Sequence, residues 1–289
     1  MRVVRQPAVA GQFYPATPGV LSAQVNQLLE DARERTSRRT ESASPDNQVG
    51  PAVPAKALLV PHAGYQYSGL TAAFGYASLD PACYSQVVLL GPCHRVGTPF
   101  TALPRADYFR TPLGDVPVWQ EGVALVRPLP QVVTGPEVHQ REHSLEVHLP
   151  FIQTVLPPGT PVLPLLVGWS APEVVAEVIE TLWHTPRTLF IISSDLSHYL
   201  PYGQAKATDQ AALEQIMAGG PALTGDQACG AFPLNGWLAA VQHHPVRPRL
   251  IDYRNSGDTA GDRSAVVGYP AMTFTSVDPG GPLGLVPQR

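Results

Sequence analysis

Three of the chain's nine histidines stand just past apolar runs that lie far apart in sequence: ALLVPH ends at His62, VVLLGPCH at His94 and FIISSDLSH at His198. Imidazole is the commonest metal ligand and carries protons near neutral pH. Three imidazoles delivered to one place would therefore make a metal or acid–base centre. Two histidines with one anionic ligand and open positions form the facial arrangement that holds a divalent transition metal. The third ligand must come from the carboxylates and thiols. Asp195 lies three residues before His198 in SSDLSH. Cys229 in ACGAFP precedes a helix expected to begin near Phe232, and a helix N-terminus favours a thiolate. An isolated cysteine is equally a small buried hydrophobe, so the choice stays open on spacing alone. Cys93 adjoins His94, but neighbours in an extended turn point apart, which makes it the weaker candidate. His94 is bounded by Gly91 and Gly97, where backbone can approach a ligand closely.

A second polar cluster, REHSLEVHLP at 141–150, carries Glu142, His143, Glu146 and His148. If it is helical, His143 and Glu146 share a face and His148 points elsewhere. His143 then lines a pocket with Glu146 as its partner, or the segment is simply an exposed polar helix start. The spacing is not that of the HExxH zinc motif. His139, His184, His243 and His244 sit in polar or breaker-rich contexts and take no role.

The elements that must position these groups are legible from periodicity. Val87 to Leu90 and Leu189 to Ile192 are apolar without alternation, as in strands buried on both faces of a sheet. Further strands are expected at Val162 to Val167 and Ala265 to Phe274. Apolar spacing predicts helices from Pro18 to about Arg35, after Ser170 and Pro172, where Ser170 and Glu173 suggest a capping box, and over roughly 203–217. Strands alternating with helices give a three-layer α/β/α architecture with a mixed, largely parallel sheet. Ligands bind at the carboxyl ends of such strands.

No break in composition divides the 289 residues, so one domain is expected over 1–276, with a mobile loop at 37–54 and a tail at 277–289. A net charge of -4 offers no footprint for nucleic acid. The N-terminus lacks a signal-peptide core and no apolar run reaches membrane-spanning length, so a cytoplasmic protein without membrane attachment is expected. Three cysteines without CxxC spacing indicate neither a disulfide framework nor a zinc knuckle.

The ordered motifs RQPAVAGQFYP, LLVPHAGYQYSG, GPCHRVG, EHSLEVHLPF, ISSDLSHY, ACGAFPLNGWLAA and DYRNSGDTAGDRSAVVGY resemble those of the Memo family, the B component of the AmmeMemoRadiSam group. The resemblance spans nearly the whole chain. It implies a fold similar to class III extradiol dioxygenases, whose non-haem Fe(II) is held by two histidines and a carboxylate. It also implies His62, His94 and Cys229 as metal ligands, with Asp195 and His198 beside the metal. A thiolate then stands where the dioxygenases use a carboxylate. The expectations that follow are iron or copper, with zinc possible, and an oxygen-dependent redox activity in which His198 is acid or base and Asp195 orients it. A metal-dependent hydrolase and a non-catalytic peptide-binding module are the alternatives. A small molecule or peptide in the pocket, and AMMECR1-like and radical SAM proteins as associates, are the implied partners.

Overall fold

The structure, a computed structural model, describes residues 2–41 and 53–277. Four parallel strands form its centre, side by side in the order Ala55–Val60, Thr188–Ser193, Gln86–Pro92 and Val162–Val167. Three of them are buried at every position, which is why their sequences are apolar without alternation. Antiparallel strands extend the sheet on both sides. Val266–Ser276 pairs with Ala55–Val60 on one flank and with Val246–Asn255 on the other. Beyond Val162–Val167 come Thr101–Leu103 and Val132–Thr134. A small second sheet joins Val4–Arg5 to the hairpin Tyr108–Thr111 and Gly114–Pro117.

Helices cover the large sheet in two groups. Pro18–Glu41, Tyr65–Ala77 and Leu149–Val155 pack on one another, while Pro172–Trp183 packs on Ala231–Ala240 and on Gln120–Val126. The three-layer α/β/α expectation with a mixed sheet, parallel at its centre, is what the chain adopts. Among the described residues no helix is long and apolar enough to cross a membrane.

Three local expectations are corrected. The first helix runs to Glu41, because 37–41 continue it without a breaker, so the expected loop begins later; its residues 42–52, like the tail at 278–289, lie outside the described residues. Ser170 does not cap the helix at Pro172. Ala171 is the N-cap and makes no side-chain bond, while the Ser170 hydroxyl reaches the Pro99 carbonyl. The segment 141–150 is not one helix: a short turn at Glu146–His148 leads into Leu149–Val155, with Pro150 in its first turn. His143 and Glu146 therefore share no helical face.

Candidate metal centre

Because the central strands are parallel, their carboxyl ends open on one edge, and the loops that follow wall a cavity of about 1040 Å³. His62, His94, His143, Asp195, His198 and Cys229 all line it. His62 is the common member of two ligand groups, His62/His94/His143 and His62/Asp195/Cys229, each with donor atoms within 4.8 Å of one another. The expected trio of His62, His94 and Cys229 takes members from both.

On the imidazole side, the three rings pack together, with centroids 5.1 Å apart for His62 and His94, 5.5 Å for His62 and His143, and 4.9 Å for the stacked pair His94 and His143. Their support is Glu142, buried at 3% exposure. One carboxylate oxygen accepts from the backbone N–H of His94 at 2.6 Å and of Arg95; the other accepts from His94 Nδ1 at 3.0 Å and from the N–H groups of His143 and Ser144. His143 Nδ1 lies 3.2 Å from the same oxygen, outside hydrogen-bond alignment. Burial alone would raise the Glu142 pKa, but the adjoining imidazoles of His143 and His94 outweigh it and hold the carboxyl well below its ordinary range.

On the thiol side, Asp195 and Cys229 close against each other. The Asp195 N–H donates to Cys229 Sγ at 3.3 Å, and the Cys229 N–H to the Asp195 carbonyl at 3.3 Å. Gly230 permits this approach, since a Cβ there would meet the Ser193 carbonyl at 2.5 Å. Asp195 Oδ1 accepts the His62 backbone N–H at 2.8 Å, and Cys229 Sγ lies 3.2 Å from His62 Nε2. Burial, reinforced by the Asp195 charge, pushes the Cys229 thiol well up, and burial raises Asp195. Desolvation thus works against the thiolate that a helix N-terminus would favour. Burial likewise lowers His62, with the neighbouring imidazoles adding to it, so its imidazole is neutral.

Several expected partnerships dissolve in the structure. Glu146 is fully buried and does not reach His143. Its carboxylate pairs with Arg5 and accepts from Ala8 N–H at 2.7 Å, Val9 N–H at 3.0 Å and the Tyr14 hydroxyl at 2.6 Å. Asp195 does not orient His198, whose Nδ1 donates to the Leu196 carbonyl at 2.8 Å. The freedom of Gly91 serves packing and not a ligand, because a Cβ there would strike Leu145 at 2.6 Å. Cys93 faces Thr98 at 3.9 Å and does not line the cavity.

The family described as Memo-like protein matches residues 5–273. The chain belongs to that family. Archaeal and bacterial relatives agree over nearly their whole length. A MEMO1 family protein of Methanosarcina barkeri is 35% identical, with 93% of this chain and 99% of that protein covered. A MEMO1 family protein of Aeropyrum pernix is 34% identical over the same shares, and one of Aquifex aeolicus is 34% identical over 94% and 99%.

For this Memo-like protein, sequence reasoning named six of the groups that line the cavity but missed what holds them. Glu142 stood unassigned beside Glu146. Ser193, which lies 2.6 Å from His62 Nδ1, sits in the ISSDLSHY motif but was given no role, and is the last residue of a buried strand. The only signal in the chain was two polar residues, Ser193 and Ser194, ending a run that is otherwise wholly apolar.

Proposed function

We propose that this Memo-like protein binds iron or copper through His62, His94 and Cys229, with Asp195 and His143 beside the ion, and acts as an oxygen-dependent redox enzyme of the dioxygenase type. The observation that carries the reading is that His62 and His94 each have Nδ1 engaged, by Ser193 at 2.6 Å and by Glu142 at 3.0 Å. Metal-ligating imidazoles are held in this way, with the second nitrogen left for the ion. The donor set fits: imidazole with thiol suits iron, copper or zinc and not the hard cations. A bound redox metal would supply Lewis acidity and electron transfer to a substrate in the cavity. His198 has the complementary task of holding or moving a proton at Nε2, since its Nδ1 is committed to Leu196.

Metal analysis after anaerobic purification tests this reading. Stoichiometric iron or copper is expected in the wild type and its loss in Cys229→Ser, with oxygen uptake dependent on the loaded metal. Failure of both metals to load, or equal Cu(I) affinity in Cys229→Ser, defeats it.

One observation favours a second reading, a zinc-dependent hydrolase: His62, His94 and His143 together make a three-imidazole group, the donor set of zinc sites with an open position for water. His143→Ala separates the two. It retains metal under the first reading and loses it under the second, where turnover would not need oxygen.

A further inference from the structure

Behind His62 the contact with Ser193 continues into a chain of buried polar groups. Ser193 Oγ lies 2.6 Å from the Ser144 carbonyl oxygen, 2.6 Å from His62 Nδ1 and 2.9 Å from His148 Nε2. His148 Nδ1 lies 3.1 Å from the Tyr76 hydroxyl. Tyr76, Ser144, Ser193, His148 and His62 are all buried, none above 2% exposure.

One arrangement of protons satisfies every polar atom in this chain. A hydroxyl has a single proton and two acceptor lone pairs. A carbonyl can only accept, so the Ser193 proton goes to Ser144, whose oxygen has no other hydrogen-bond donor among the described residues. The two remaining contacts must then be N–H groups donating to Ser193, one from His62 Nδ1 and one from His148 Nε2. With its proton on Nε2, His148 accepts at Nδ1 from the Tyr76 hydroxyl, and every polar atom is satisfied.

We infer that Ser193, backed by His148 and Tyr76, is a positioning residue that locks His62 in its Nδ1–H tautomer and so presents a bare Nε2 toward Cys229 before any metal arrives. The inference rests on the proposed metal site for its purpose, but its tautomer can be read without metal. An imidazole free to swap tautomers would spend part of its time with a proton on the ligating nitrogen, and metal affinity would fall with it. Ser193 has both of its lone pairs and its one proton engaged, so it cannot turn to accommodate that alternative.

Long-range 1H–15N correlation spectra of the labelled, metal-free full chain report which nitrogen of His62 is protonated. Nδ1–H alone is expected in the wild type. Ser193→Ala removes the acceptor, so a population protonated at Nε2 should appear and cobalt(II) affinity should fall about tenfold to a hundredfold, the range seen when outer-shell partners are removed. His148→Gln keeps a donor facing Ser193 and should stay near wild type in both readouts, whereas His148→Leu should follow Ser193→Ala. A merely structural role would cost stability in these variants without moving the tautomer. The inference is overturned if wild-type His62 is protonated at Nε2, or if Ser193→Ala changes neither tautomer nor cobalt affinity. Should Ser193→Ala fail to fold, the wild-type spectrum and the His148 pair decide. A locked Nδ1–H with no cobalt bound would defeat the metal reading alone; stoichiometric cobalt on an Nε2–H His62 would defeat this one alone.

Discussion

Glu142 and Glu146 stand four residues apart, are both buried and both satisfied, and yet build different parts of the molecule. Glu142 gathers backbone N–H groups from 94–95 and 143–144 and the His94 ring, so it shapes the cavity wall. Glu146 gathers Arg5, Ala8, Val9 and Tyr14, so it fastens the N-terminal segment to the body of the domain. Arg5 also bridges the two regions, donating to the carbonyls of Glu142 at 2.6 Å and His139 at 3.1 Å. The contrast teaches that a buried carboxylate takes its role from the donors that its loop meets. Spacing in the chain does not assign it.

The largest effect should come from Glu146→Ala. It leaves the buried Arg5 guanidinium uncompensated, a loss of roughly 3–5 kcal/mol, read as a lower midpoint in chemical denaturation of the metal-free protein. Metal stoichiometry should survive wherever the variant is folded. Loss of metal from folded Glu146→Ala would erase the distinction between the two carboxylates.

Acid should loosen the same fastening. His139 lies against it, donating from Nε2 to the Ala102 carbonyl at 2.9 Å, and burial pushes its imidazole down to about 4. An open chain titrates near 6.5, so between about 6.5 and 4 the unfolded state binds more protons and stability must rise with pH. The contribution is present above about 6.5 and lost as pH falls through about 4, on the order of 3 kcal/mol at most. Stability of the metal-free chain measured across that window should show this slope and His139→Gln a shallower one; an unchanged slope would place the acid sensitivity elsewhere.

Glu142→Gln should give the complementary result. It removes the charge that gathers the cavity wall, and metal affinity should drop by about tenfold to a hundredfold, equivalent to roughly 1.4–2.7 kcal/mol, with a smaller change in the denaturation midpoint than Glu146→Ala. A reversed order of the two stability losses would show that the wall, and not the N-terminal fastening, is the stronger structural tie. The smallest effect belongs to His198→Ala. His198 is held by neither carboxylate, and no ligand group among the described residues includes it, so metal content should be unchanged while turnover and its pH profile alter. Loss of metal in this variant, with metal retained in His62→Ala, would exchange the two histidines' roles.

The amino-acid sequence by itself determined the frame. The short unalternating apolar runs before His62, His94 and Asp195 read as strands buried on both faces, and parallel pairing of such strands sends all three loops to one edge of the sheet. That is a local property carried by each segment, which is why His62, His94 and Asp195 could be named from the chain, whereas the choice of Cys229 as third ligand came only from the resemblance to the family. Tertiary structure alone decided the partners. Glu142 meets His94 across 48 residues, Glu146 meets Ala8 across 138, and Ser193 meets His62 across 131. None of these pairs follows from a period of 3.6 or 2, because a hydrogen bond forms with whichever donor the packed backbone brings within 3 Å or so. The environment of Cys229 was set in the same way. Helix position, readable in the chain, argued for a thiolate; the depth of burial and the nearness of Asp195, which push the thiol up, exist only in the folded molecule.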